Sequence, residues 1–346
     1  MSNYDLSTDY ARYPTLSPLS EKTAATYAQC AACGGADFRI QLPHHQIICK
    51  KCGTVYRMSS PIPTERPSQA TWPLPLSKFQ IVSTTSVMPH ITFILRPDGI
   101  VRSDVKLPRS LCAVAEWTQI VAISAGSNHI AGLHTDGTVT VAGLSKSVQA
   151  NVQSWSNIIS IATTTAGVLG LCEDGTVQAA GVVPAVLERL KKMTSVASIS
   201  TQGDRIVCIR KDGTLRAIGN VPDEIYGWDQ IIGVALETGS SNILGLRRSG
   251  RLVSFGCSKS QTELIRNCRD VRAIAASTRV SVALKNDGTI EIISNTTGIG
   301  AVLAAKKWRR IKSVWVCGGF ITALRDDGFI HCTNPRIQRF IVEALE

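Results

Sequence analysis

The sequence predicts an all-β fold, a seven-bladed β-propeller with a small N-terminal zinc ribbon in front of it, and three observations predict it. A turn ending in glycine recurs seven times at a nearly constant interval, and an aliphatic residue keeps a steady lead on that glycine. Upstream of the first repeat stand two Cys-x-x-Cys-Gly knuckles.

Composition sets the frame. With 346 residues, 44% of them hydrophobic, the chain can bury a substantial core. Aromatic residues make up only 5% while glycine reaches 27, which suits thin repeated strands filled with Ala, Val and Ile and joined by tight turns. No run approaches the ~20 apolar residues of a membrane-crossing helix. The opening Met1-Ser2-Asn3-Tyr4-Asp5 lacks the basic and apolar stretches of a secretory signal, so a cytoplasmic protein without membrane attachment is expected.

From the N-terminus, residues 1–26 are polar, carry Pro14 and Pro18 and show no sustained period, which predicts disorder. Residues 27–58 contain Cys30-Ala31-Ala32-Cys33-Gly34 and, after fifteen intervening residues, Cys49-Lys50-Lys51-Cys52-Gly53. This C-x2-C-x15-C-x2-C spacing lies in the range of structural zinc sites. Two thiolates two residues apart reach one ion from a tight knuckle, and the glycine after each pair tolerates a positive φ. Alternating Phe38, Ile40 and Leu42, with Ile47-Ile48 ahead of the second knuckle, predict a β-hairpin carrying Zn2+ at one end. Cys30, Cys33, Cys49 and Cys52 fill all four positions, so the metal is expected to be structural. A redox dithiol is the alternative. His44 and His45, beside Pro43, read as solvated loop residues. Residues 59–76, with Pro61, Pro63, Pro67, Pro73 and Pro75, read as a semi-stiff linker. The seven remaining cysteines, of eleven in all, sit in apolar runs and read as small core residues.

Residues 77–346 hold the repeat. The turn glycines are Gly99, Gly137, Gly175, Gly213, Gly250, Gly288 and Gly328, spaced 38, 38, 38, 37, 38 and 40 residues apart. Ile81, Ile120, Ile158, Val196, Ile231, Val271 and Ile311 lead them by 17 to 19 positions, and Trp117, Trp155, Trp228 and Trp308 stand three residues earlier in four copies. Within one copy, Ile120–Gly126, Ile130–His134 and Thr138–Gly143 are short apolar or alternating runs around an Asp-Gly turn, the signature of strands joined as hairpins. A fourth, less regular strand is expected to complete each copy. One such unit cannot bury both faces, so the copies must pack side by side, and seven small sheets suit ring closure. An open β-solenoid is the rival arrangement.

The run Trp-x-x-Ile-x-x-Ile-x-Ala-Gly, a Gly-Leu strand, Asp-Gly-Thr-Val and a closing Ala-Gly resembles the repeat of the regulator of chromosome condensation family in its short bacterial form. The resemblance covers roughly residues 77–340 and is clearest from Trp117 to Gly181. It implies the fold and a seven-bladed ring. It does not imply activity, because no insertion breaks the 38-residue spacing where the family's nucleotide-exchange member carries its wedge. In that family the position of His129 and His90 orders a loop, which implies a structural role for both.

A formal charge of +11 implies attraction to something acidic. Strand parity places the second-to-third turn and the junction between repeats at one end of the sheets. That end is then expected to gather Arg96, His134, Cys172, Arg210, Arg247, Lys285 and Arg325, three positions before each glycine, with Arg248, Arg251, Lys191 and Lys192. It should also carry the junction run Lys306, Lys307, Arg309, Arg310 and Lys312. This basic rim is the candidate partner site. The competing reading pairs each turn cation with its own turn aspartate, and only the junction run then stays uncompensated.

No histidine and carboxylate recur at catalytic or ligand spacing, and no Gly-x4-Gly-Lys loop cradles phosphate, so an enzyme is not expected. The reading is a non-enzymatic protein-interaction scaffold that binds an acidic partner through one propeller face. The alternative is a nucleic-acid-binding protein that uses ribbon and rim together on phosphates.

Overall fold

The computed structural model describes residues 38–41, 46–49, 55–57, 79–84, 90–277, 280–293 and 300–345. In the N-terminal region, β1 (Phe38–Gln41), β2 (Gln46–Cys49) and β3 (Val55–Arg57) form an antiparallel sheet in that order. Phe38 pairs with Cys49, Gln41 with Gln46, and Ile48 with Val55. Cys49 closes β2, while Cys30, Cys33, Cys52, His44 and His45 lie outside the described residues, as do the stretches 1–26 and 59–76.

The repeats form seven three-stranded antiparallel sheets, each built from consecutive strands. They are β4 (Gln80–Ser83), β5 (Thr92–Leu95) and β6 (Val101–Ser103) in blade 1, then β7 (Ile120–Ala125), β8 (Ile130–His134) and β9 (Val139–Ala142) in blade 2. Blade 3 has β10 (Ile158–Thr163), β11 (Val168–Cys172) and β12 (Val177–Ala180); blade 4 has β13 (Val196–Gln202), β14 (Arg205–Arg210) and β15 (Leu215–Ile218). Blade 5 has β16 (Ile231–Leu236), β17 (Ile243–Arg247) and β18 (Leu252–Phe255); blade 6 has β19 (Val271–Ser277), β20 (Val280–Lys285) and β21 (Ile290–Ile292). Blade 7 has β22 (Ile311–Cys317), β23 (Phe320–Arg325) and β24 (Ile330–Cys332).

The first strand of each blade packs on that of the next, and β22 packs on β4, which closes a circle. A solenoid has no such closing contact, so the seven blades form a β-propeller. Phe79 meets Trp315 edge to face at 5.3 Å across this closure, and Cys317 Sγ donates to the Ile81 carbonyl at 3.2 Å. Neighbouring blades approach most closely along their first strands. There Ala122, Ser160, Ser198, Gly233 and Ala273 recur directly after the bulge, keeping side-chain volume small where sheets converge. Between blades, Ile120, Ile130, Phe93 and Leu95 are fully buried in one cluster, and each such side chain contributes about 1.5–3 kcal/mol.

The expected fourth strand is a helix. The segments are a 3-10 helix at Arg109–Glu116, α1 (Lys146–Gln153), α2 (Pro184–Lys191), a 3-10 turn at Asp223–Gly227, α3 (Lys259–Asn267), α4 (Gly300–Ala304) running into a 3-10 turn at Ala305–Lys307, and α5 (Pro335–Leu345). Local chemistry favours helix over strand here. Ser145 Oγ accepts from Val148 N, Ser258 and Gln261 form a reciprocal capping box, and Pro184 occupies the first turn of α2. Each helix buries one or a few apolar residues, such as Val152, Leu190 and Ile265. Their polar side chains cap backbone carbonyls at the outer ends of the sheets: Arg189 donates to Ala217 O at 2.9 Å and Gln261 to Ile293 O at 3.2 Å. Sheet edges that would otherwise invite pairing with another chain are thereby occupied.

The marker residue of blade 1 is also shifted. Ile81 pairs with Ile94, whereas Ile120 pairs with His134 and it is Ile123 that faces Gly132. Ile81 is therefore the counterpart of Ile123, three residues further into the strand than the spacing suggested.

Candidate interaction face

The face is built from the Asp-Gly hairpins and the blade junctions. In blade 2 the His134 amide donates to Thr138 O at 2.9 Å and the Gly137 amide to His134 O at 3.1 Å. The three-residue loop needs a left-handed last residue, and Gly137 has φ of 80°. Asp136 Oδ1 accepts from the Thr138 amide at 2.9 Å and its hydroxyl at 2.6 Å. The same arrangement recurs at Asp174, Asp212 and Asp287. In all four, the threonine hydroxyl and then its amide hold the carboxyl below the usual carboxylate range.

Turns and junctions are locked together. The carbonyl of Gly99 accepts from the Ile120 amide at 3.1 Å, Gly137 from Ile158 at 3.1 Å, Gly175 from Val196 at 2.9 Å and Gly213 from Ile231 at 3.1 Å; Gly250 accepts from Val271 and Gly288 from Ile311, both at 3.0 Å. These bonds put the start of each of blades 2 to 7 on the turn of the preceding one, as strand parity predicted. The residue before each of these amides, Gln119, Asn157, Ser195, Gln230, Asp270 or Arg310, is left-handed with φ between 53° and 61°. Five of those residues also accept a turn amide through their carbonyl, as Gln119 does from Thr135 at 3.1 Å. Sequence reading missed this row, although its small and amide-bearing members are the signal that tolerates such backbone.

The cations divide into compensated and uncompensated sets. Arg96 pairs with Asp98 at 3.0 Å, Arg210 with Asp212 at 3.8 Å, and Arg325 with Asp327 at 2.5 Å. Blade 5 has Ser249 where those turns have aspartate, and its Arg247 pairs instead with Asp229 of the preceding junction at 2.8 Å. The junction run is not free of acids as the sequence suggested: Lys306 pairs with Glu291 at 3.2 Å. Arg309 turns its guanidinium onto the carbonyls of Lys306 and Trp308, at 2.7 and 2.9 Å. Trp308 stacks on His331 at 4.9 Å, a packing role.

Lys192, Lys211, Arg248, Arg251, Lys285 and Lys307 form no ion pair among the described residues. They belong to blades 4, 5 and 6 and the junction into blade 7. Blades 2 and 3 present Glu116, Asp136, Glu173 and Asp174 at the same end, with His134 and Cys172 in place of the turn cation. The cations without an ion pair accordingly lie on an arc over part of the circle, beside an acidic sector, and the exposed Asp270 and Asp287 share the arc's end of the sheets.

The other end is held by buried polar groups. His129 is 0% exposed, and its Nε2 lies 3.1 Å from Gly167 O of the next blade, so Nε2 carries the proton and donates. Its Nδ1 is buried without a partner, and burial pushes its pKa down. His90, assigned a similar role by position, is exposed, so the loop-ordering role falls to His129 alone of the two. Glu237, only 4% exposed, accepts from Ser281 at 2.6 Å, Asn242 at 2.8 Å and Ser240 at 3.0 Å, tying blade 5 to blade 6. No helix among the described residues is long and apolar enough to cross a membrane.

The fold thus defines a seven-bladed β-propeller with a charged turn face, and comparison with known proteins agrees with that class. The family model described as the regulator of chromosome condensation (RCC1) repeat matches residues 120–147, one repeat of the propeller. No curated protein matches the sequence significantly. Among solved structures, the chain is similar to the CRINKLY WD40 ectodomain of the receptor kinase ACR4 from Arabidopsis thaliana, with 14% identity, 73% of this chain and 94% of that chain covered, and a TM-score of 0.52. It is similar to the ectodomain of the receptor kinase CR4 from Physcomitrella patens at 13% identity, with coverages of 73% and 72% and a TM-score of 0.52. Prp20p from Saccharomyces cerevisiae, described with its binding to Gsp1p and histones, matches at 17% identity, coverages of 77% and 85% and a TM-score of 0.48. Identities this low speak to the fold alone.

Proposed function

We propose that the propeller is a non-enzymatic protein-binding platform that docks an acidic surface of a partner protein against the turn face along blades 4 to 6 and the junction into blade 7. The observation that carries this reading is the cluster of cations without a direct ion pair on blades 4 to 6 and the junction into blade 7, beside an acidic sector. Charge of one sign steers an encounter, and the opposite sign nearby fixes orientation. The same layout disfavours nucleic acid, because a polyanion laid across the face would meet Glu116, Asp136, Glu173 and Asp174. Photo-crosslinking residues placed at Lys211 and Arg248, compared with one at Glu173, test it in native lysate. An acidic protein trapped from the first two positions and not from the third supports the reading, and equal trapping or trapping of nucleic acid refutes it.

The second part of the reading is a structural Zn2+ held by Cys30, Cys33, Cys49 and Cys52, with the ribbon docking a second component or steadying the assembly. What supports it is register. Phe38, five residues after Cys33 in the sequence, pairs with Cys49 at the end of β2, so strand pairing occupies the stretch between the two Cys-x-x-Cys pairs, as a ribbon requires. Zinc measured in the purified full chain should be one equivalent, reduced in Cys49→Ser. A metal-free native chain would remove this part.

A further inference from the structure

Blade 5 breaks the turn pattern at one position. The residue before the turn glycine is Asp98, Asp136, Asp174, Asp212, Asp287 or Asp327 in six blades and Ser249 in the remaining one. Each of the six aspartates accepts the backbone amide two residues on, at 2.8 to 3.1 Å. Ser249 Oγ makes no such bond and is exposed at the hairpin tip. Around it stand Arg247, Arg248 and Arg251, the last two exposed and unpaired. In blade 1 the Nε of Arg96 donates to both oxygens of Asp98, at 3.1 and 3.3 Å, whereas Arg247 Nε is buried with no partner, as is the Nε of Arg325, whose Nη2 alone reaches its turn aspartate Asp327.

We infer that Ser249 is a phosphorylation site, in which a serine phosphate takes the place that an aspartate fills in the other six turns. The donor is ATP, delivered by a protein kinase that prefers basic residues before its serine. Ser249 Oγ bonds to the γ-phosphorus, the bond from that phosphorus to its bridging oxygen breaks, ADP leaves, and the hydroxyl proton passes to the kinase base. The phosphate carries about −1.5 to −2 charges at neutral pH and three acceptor oxygens. Those oxygens are matched by the three arginines, Arg247 offering a donor that is otherwise unused. In the docking reading above, on which this consequence alone rests, the modification places negative charge inside the cationic arc and releases an acidic partner.

The test uses the full chain, ATP and the catalytic subunit of cAMP-dependent protein kinase as probe, with the phosphate located by mass spectrometry. Transfer to Ser249, absent in Ser249→Ala, is expected; no transfer to Ser249 overturns the site. On protein carrying phosphoserine at this position, the second phosphate ionisation is followed by phosphorus NMR. The account predicts titration at lower pH than in an unfolded peptide of residues 245–253, and reversion toward the peptide value in Arg247→Gln. Identical titration of protein and peptide overturns the arginine cradle. Neither readout uses the partner, so failure of docking alone would leave the site standing.

Discussion

Trp228 packs against Gly245 so closely that a Cβ on the glycine would come within 2.8 Å of the indole Cε3 and Cζ3, and within 2.7 Å of Val253 Cγ2. Trp117 meets Gly132 and Trp155 meets Gly170 in the same way, at 3.0 Å. Where the junction residue is Met193 or Cys268, the residue at the glycine's register is Cys208 or Ala283, and Trp308 has Ala323 there. Gly245→Ala should therefore overpack the blade and cost about 1–3 kcal/mol in denaturant unfolding, with Gly132→Ala costing less. Gly233→Ala is the control, since its nearest neighbour would be at 3.7 Å and the change should be close to neutral.

The left-handed row before each blade gives a second expectation. Asn157→Gly and Gln230→Gly should be neutral to slightly stabilising, by up to about 1 kcal/mol, because glycine carries no penalty at positive φ. Gln119→Val should lose about 1–2 kcal/mol, as a β-branched residue resists φ of 59°. Chemical denaturation of the three variants checks both signs.

His129 makes stability depend on pH. Its folded pKa is depressed by burial, so its contribution is complete above about pH 6.5, its ordinary value, and is withdrawn as the pH falls through the lower folded value. The melting temperature should drop between pH 7 and 5, and more steeply than in His129→Gln, which keeps a donor for Gly167 O but does not titrate. Parallel profiles would show that His129 is not the group responsible.

Ser249→Asp should restore the turn of the other blades, with the carboxylate accepting the Arg251 amide. A gain of about 0.5–1 kcal/mol is expected in thermal unfolding, and Ser249→Ala should show none.

The repeat was legible because the Asp-Gly turn demands a left-handed glycine at every copy, and that demand writes itself into the spacing. The helix in the fourth position was not, since segments of five to eleven residues switch between α and 3-10 geometry and share no pattern. Its local signals, Ser145, Pro184 and the Ser258 and Gln261 pair, were present but differ from blade to blade. The pairing of Arg96, Arg210 and Arg325 with their own turn aspartates follows the competing reading of the sequence. The compensation of Arg247 and Lys306 was hidden, because Arg247 finds Asp229 and Lys306 finds Glu291 across separate elements that only folding brings together.

The cationic arc is tested most directly by capturing the partner from native lysate and measuring its Kd for two charge-reversed proteins. Lys211→Glu with Arg248→Glu should weaken binding at least tenfold and flatten its salt dependence, while Glu173→Lys should leave it equal or tighter. Equal affinity for the first variant and the native chain would contradict the account.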